Sequence, residues 1–277
     1  MPTVPAVLEP LKAKVEGRHW AFKGAVLSFR AEQPLTEEQW KAIEGLGVKQ
    51  IITGGKGIDD AAMLRLAKLN PEALMLDGAE VTDAGCKALA GMKALRSLSV
   101  GHMMSKQFTG AGLATLKDIP ALERVGIGGT STGDEALAAI AQATQLKEFQ
   151  TWHTQAKDPR NLHLLKLTSL KVLELGNGLP TYDGKPRQLS VTDVTMDTLA
   201  QMKSLERIFL MDARLTLPAL KKLKALPNLK TLDLQFVDIS PEDLDKLRAE
   251  MPGVKIPQRP PMTDAERKRL EGFLKVE

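Results

Sequence analysis

Apolar residues return along this chain in one recurring series. Between Val81 and Val100 they fall at Cys86, Leu89 and Met92, then at Leu95, then at Leu98 and Val100. Steps of three put Cys86, Leu89 and Met92 on one stripe of a helix, whereas a step of two puts Leu98 and Val100 on one side of a short strand. The series recurs at Leu113, Leu116, Ile119, Leu122, Val125 and Ile127. It recurs again at Leu137, Ile140, Ala143, Leu146 and Phe149, at Met196, Leu199, Met202, Leu205, Ile208 and Leu210, and at Leu220, Leu223, Leu226, Leu229, Leu232 and Leu234. Each unit is predicted to run helix, turn, strand.

The first inward strand residue of each unit falls at 27, 51, 74, 98, 125, 149, 173, 208, 232 and 254, so the intervals are 24, 23, 24, 27, 24, 24, 35, 24 and 22. A unit this short cannot bury its own apolar face, but stacked neighbours bury a continuous one. The period and the V-T-D-A-G-C-x-x-L-A form of residues 81–90 resemble the leucine-rich-repeat family over roughly residues 25–256. The resemblance implies an α/β fold, a right-handed solenoid with a parallel sheet on its concave face and helices on its convex face. Functionally it implies a surface presented for binding.

Local signals punctuate this frame. Thr36-Glu-Glu-Gln39 and Thr132-Gly-Asp-Glu135 read as capping boxes, and Thr82 and Thr109 align with Thr132 as helix caps. Ser240-Pro241-Glu242 places a cap residue, then proline at the first helical position, then an acid near the positive helix end. Residues 1–24 read as an N-terminal cap with a hairpin turn at Lys23-Gly24. Residues 257–277 read as a proline-rich connection and a short helix from Thr263, with Leu270, Phe273 and Leu274 on one face. That helix is expected to fold back on the last repeat; the other reading makes it a tail for a partner. The two long intervals carry insertions at 101–108 and 176–190, the second holding the only tyrosine, Tyr182.

Composition narrows the function classes. Forty-three per cent hydrophobic and 26% charged residues in 277 describe a packed chain, not a disordered one. The net charge of +4 is spread along the chain, which argues against a nucleic-acid face. No apolar run approaches the roughly 18 residues of a membrane span. A single cysteine, Cys86, excludes an intramolecular disulfide and cysteine-pair metal sites. The opening MPTVPAVLEPLKAKVEG lacks a signal peptide's apolar stretch, consistent with a cytoplasmic chain or one whose leader has been removed. A monomer without a cofactor is expected.

The candidate chemistry lies at the outward strand positions. Trp152, Phe209 and Met211 are large apolar groups where solvent is expected, with Arg124, Glu148, Gln150, Glu174 and Arg207 around them and His153 and Tyr182 close in sequence. Aromatic residues among charges, arginine included, are the chemistry of an interface hot spot. The expected role is a non-enzymatic scaffold that binds a protein partner on the concave face of the middle repeats. A carbohydrate or cell-surface ligand is the alternative, because Trp152 and Tyr182 also suit sugars. An enzyme with a loop-borne site is the third reading. Gly129-Thr-Ser131-Thr-Gly133 matches a nucleophile elbow, but the motif needs a base and a hydrolase fold. His102 and His153 share a register two strands apart, hence roughly 10 Å, too far for one zinc held by bonds of about 2.1 Å. Gly54-Gly-Lys-Gly57 lacks phosphate-loop spacing.

Overall fold

A computed structural model describes residues 2–19, 21–177 and 189–274. Ten strands lie side by side in chain order within one sheet. They are β1 (Lys14–His19), β2 (Lys23–Arg30), β3 (Gln50–Gly55), β4 (Ala73–Ala79), β5 (Ser97–Gly101), β6 (Arg124–Gly128), β7 (Glu148–Trp152), β8 (Val172–Gly176), β9 (Arg207–Arg214) and β10 (Thr231–Asp238). β1 and β2 form an antiparallel hairpin, and every pairing from β2 to β10 is parallel.

The apolar spacing sets the register. Leu27, Ile51, Leu74, Leu98, Val125, Phe149, Leu173, Ile208 and Leu232 are consecutive Cα partners in one unbroken row. All nine are buried in the single core cluster. The tenth expected position, Val254, starts no strand: its neighbour Lys255 makes one isolated bridge to Thr231. Pro252 and Pro257 flank it and offer no backbone N–H to a ladder.

Behind the sheet run α1 (Glu37–Gly45), α2 (Asp60–Leu69), α3 (Asp134–Ile140), α4 (Thr195–Leu199), α5 (Leu217–Lys221) and α6 (Pro241–Glu250). In three repeats, at Gly85–Gly91, Ala111–Asp118 and Leu162–Lys166, the expected helix is 3-10 instead of α. Strands stack about 4.8 Å apart, whereas α-helices are about 10 Å wide, so helices behind every strand force the sheet onto the inside of a curve. The tighter 3-10 coil eases that crowding.

Side chains stitch neighbouring repeats together. The Asp60 carboxylate accepts hydrogen bonds from the Thr82 N–H (2.8 Å) and hydroxyl (2.6 Å). Asp83 accepts from Thr109 Oγ1 (2.7 Å) and from the backbones of Gly110 and Gly112, and Asp193 accepts from Thr216 Oγ1 (2.7 Å). The recurring Thr-Asp pair is therefore an inter-repeat tie, a role the alignment with Thr132 as a helix cap did not reveal. Thr132 itself forms no capping box. Its hydroxyl is buried against that of Thr130 (2.5 Å), and Gly133 occupies the cap position without a side-chain bond. Thr36 and Ser240 cap as expected.

Along one sheet edge a ladder of charges alternates. Glu123 joins Arg96 and Lys147 (2.7 Å each), and Glu206 joins Lys171 (2.9 Å) and Lys230 (2.7 Å). Burial, with Asp83 and Asp60 near, pushes the Cys86 thiol up to about 12, so it packs as a small inert apolar group.

Candidate binding surface

Residues between the inward pairs point away from the core, and two elements close over the ends of the face they form. At the N-terminal end, Lys23 already pairs with His19, so the chain reverses before the Lys23-Gly24 position expected for the turn. Phe22 is carried across the starts of the strands. Its backbone N–H donates to Gln50 Oε1 (3.1 Å), and Gln50 Nε2 donates back to its carbonyl (3.1 Å). The Phe22 ring lies under the guanidinium groups of Arg96 (4.2 Å) and Arg124 (4.9 Å). Arg124 also donates to the Ala21 carbonyl (2.5 Å) and pairs with Glu148 (3.3 Å). Gln50, Ala73 and Ser97, outward by pattern, are buried here.

At the other end, residues 257–262 lead into α7 (Asp264–Leu274), which packs against β9 and β10. The inward side of those strands is filled by Ile208, Leu210, Leu232 and Leu234. Leu270 of α7 is buried yet belongs to no part of that core, so α7 lies on the outward face. Arg259 reaches the outward Asp233 (2.6 Å) and Arg267 reaches Asp238 (2.7 Å). Glu174, one strand further in, is half-buried. That burial pushes its carboxyl above the usual range, and the negative charge of Asp233 adds to the effect.

Between these covers lies a strip floored by backbone. Gly101, Gly126, Gly128 and Gly176 occupy outward positions on β5, β6 and β8. Trp152 lies across Gly128: a methyl there would stand 2.6 Å from its Cε2. A methyl on Gly176 would meet Met211 Cγ at 2.6 Å and Trp152 Cβ at 3.2 Å. The two side chains thus converge above Gly176 from either side, in room only glycine leaves.

The site residues read from the pattern divide accordingly. Trp152, Gln150, Met211 and Phe209 lie at outward positions on β7 and β9, half-buried, and none is part of the core. Trp152, Phe209 and Met211 are at outward positions as the pattern implies, but they are half-buried, and Trp152 and Met211 lie down against Gly128 and Gly176. Arg124 and Glu148 belong to the hairpin end, Arg207 is exposed at the start of β9, and Tyr182 falls outside the described residues. His153 Nε2 approaches the Asp212 carboxylate (3.4 Å), whereas His102 Nδ1 bonds Asp77 Oδ1 (2.7 Å), so the two histidines serve different partners. No group of three possible metal ligands occurs among the described residues. Ser131 is exposed in the turn after β6.

One signal was available and unread. One aligned position, just past a strand in β5, β6 and β7 and within the longer strands β3, β4, β9 and β10, adopts left-handed backbone at Gly55, Gly78, His102, Gly129, His153, Asp212 and Phe236. Glycine, histidine and aspartate tolerate that conformation. The histidines of the register are thus explained by backbone geometry.

No protein-family model matches the chain, and no curated protein matches it in sequence. Solved structures do match in shape. Human 5T4, a trophoblast glycoprotein also titled Wnt-activated inhibitory factor 1, superposes with a TM-score of 0.57 at 18% identity, covering 83% of this chain and 84% of its own. An internalin from Listeria monocytogenes gives 0.50 at 17% identity, with 78% and 69% covered. Both are leucine-rich-repeat proteins. The fold of this chain is theirs. At such identity the likeness carries the leucine-rich-repeat architecture to this protein and nothing of what those proteins bind.

Proposed function

We propose that this leucine-rich-repeat protein is a non-enzymatic scaffold that binds a protein partner on the concave face of its middle repeats, with Trp152 as the anchor. The convergence of Trp152 and Met211 over Gly176 carries the reading. Together with Phe209 they make one apolar strip, bordered by Arg124, Glu148, Gln150, Glu174 and Arg207. An apolar centre with a charged rim excludes water from a contact and holds its edge wet. The glycine floor lets a partner's backbone approach the sheet closely.

A test is affinity capture with the wild type and with the Trp152→Ala/Phe209→Ala double variant. The variant is expected to keep the wild-type circular dichroism spectrum and to lose capture of partners. Identical capture profiles from the two would remove this strip as the site. The flat indole, on a face that also carries Glu148 and Glu174, supports a second reading, a sugar ring stacked on Trp152. Binding on a glycan array that disappears with Trp152→Ala would favour it over the protein partner.

A further inference from the structure

The chain itself shows what kind of object rests on this face. α7 is an amphipathic segment on the outward side of β9 and β10, and it meets the sheet in two ways. Leu270 is buried although it is not part of the core cluster, and α7 packs on β9 and β10. Arg259 and Arg267 pair with the carboxylates of Asp233 and Asp238 at 2.6 and 2.7 Å. Asp238 also holds Arg214 (2.8 Å), and the charge of Asp233 is felt at Glu174. The carboxylates of β10 thus give the arginines of the segment their partners.

The attachment differs from everything else in the solenoid. Residues 257–262, rich in proline, form neither helix nor strand. Pro257, Pro260 and Pro261 bring no backbone donors to the sheet. Between this segment and the last repeat lies an open cleft of about 880 Å³, lined in part by Leu234, Phe236, Val237, Ile239 and Leu244, so the strap spans a groove here instead of closing on packed side chains. Phe236 at its rim is exposed and holds a left-handed backbone (φ 53°), a conformation that bulky residues rarely adopt.

We infer that the β9–β10 end of the concave face is a receptor for an amphipathic, arginine-bearing helix, and that α7 is its resident, displaceable occupant. A partner helix of the same character replaces α7 and gains Phe209 and Met211, continuous with Trp152. The inference rests on the reading of this face as the binding surface and names the partner's form.

The test uses the full chain and a fluorescein-labelled synthetic peptide of residues 257–274. Leu270→Asp in the protein frees α7 from the face. Fluorescence anisotropy is expected to show the peptide binding this variant at least ten-fold more tightly than the wild type, whose own α7 competes. Adding Asp233→Asn and Asp238→Asn to the variant should return binding toward the wild-type level. A peptide with Arg259→Ala and Arg267→Ala should bind weakly to the Leu270→Asp protein. Equal peptide affinity for wild type and Leu270→Asp would overturn the proposal. Loss of the solenoid's folded spectrum in both Leu270→Asp and the milder Arg267→Ala would overturn it too, by showing α7 to be part of the fold. No partner enters these measurements, so they can fail while Trp152-dependent capture stands, and the reverse.

Discussion

The two covers of the concave face are built in opposite ways. At the N-terminal end the β1–β2 hairpin is continuous with the sheet: β2 pairs with β3 from Val26 to Arg30, and Gln50 clasps the Phe22 backbone from both sides. At the C-terminal end α7 adds no strand and is held by side chains, one buried leucine and two ion pairs with partly exposed arginines. Backbone ladders place a cover permanently, because removing it leaves buried amides unpaired. Exposed ion pairs are worth about 0–1 kcal/mol each, so a cover held by them can lift.

The sharpest break of this contrast compares two leucines that are equally buried. Leu27→Ala, in β2, should cost about 2–5 kcal/mol, because the cavity it leaves cannot be escaped. Leu270→Ala should cost less, because α7 can detach and so cap the loss at its docking energy. Denaturant melts of both variants measure the difference. Equal losses would make α7 as integral as β2.

A smaller effect tests the clasp. Gln50→Ala removes both bonds to Phe22 at a buried position and should cost about 1–3 kcal/mol, read from the same melts. A change within error would mean the hairpin is carried by strand pairing alone. Smaller again, Thr151→Val should stabilise by about 1 kcal/mol. The Thr151 hydroxyl is buried on the core side of β7 and has no hydrogen-bond partner among the described residues. Since neither cover touches that side, its gain should be the same in wild type and Leu270→Asp.

The smallest effect concerns acid. Glu206 hydrogen-bonds Lys230 and Lys171, which lower its pKa from the usual 4.5 to about 2. A carboxylate held low in the fold favours folding above its unfolded value. That contribution is lost as pH falls from about 4.5 through about 2. Glu206→Gln should therefore lower Tm slightly near pH 7, approach the wild-type Tm at the acid end of that window, and so flatten the decline between them; the effect is small because Lys171 and Lys230 are solvent-screened. Glu174 has the opposite sign. Burial raises it, so its ionisation above the usual carboxylate range opposes the covered state, and Glu174→Gln should hold α7 more firmly at neutral pH.

The repeat was legible because inward positions obey one rule. Residues spaced by two along a strand share a face, and the first inward position of every strand from β2 to β10 is apolar, so Leu27 through Leu232 could be put in register from letters alone. The candidate strip was legible in part. Trp152, Phe209 and Met211 stand out as apolar residues at outward positions, yet their posture was not foreseeable. It depends on glycines one strand away, at 128 and 176, which adjoin them only after stacking. The threonines of the Thr-Asp tie were legible as caps, and the Thr82 and Thr109 hydroxyls do accept from backbone amides just after them, but the tie itself was not, since its acceptor belongs to the previous repeat.

The sequence by itself determined the period, the inward row and hence the solenoid, because these follow from spacing within one repeat. Tertiary structure alone decided which outward residues meet, which lie down on glycine and which are covered at each end. Those outcomes depend on contacts between segments far apart in the chain, such as Phe22 with Arg124 and Arg259 with Asp233, and no local periodicity encodes them.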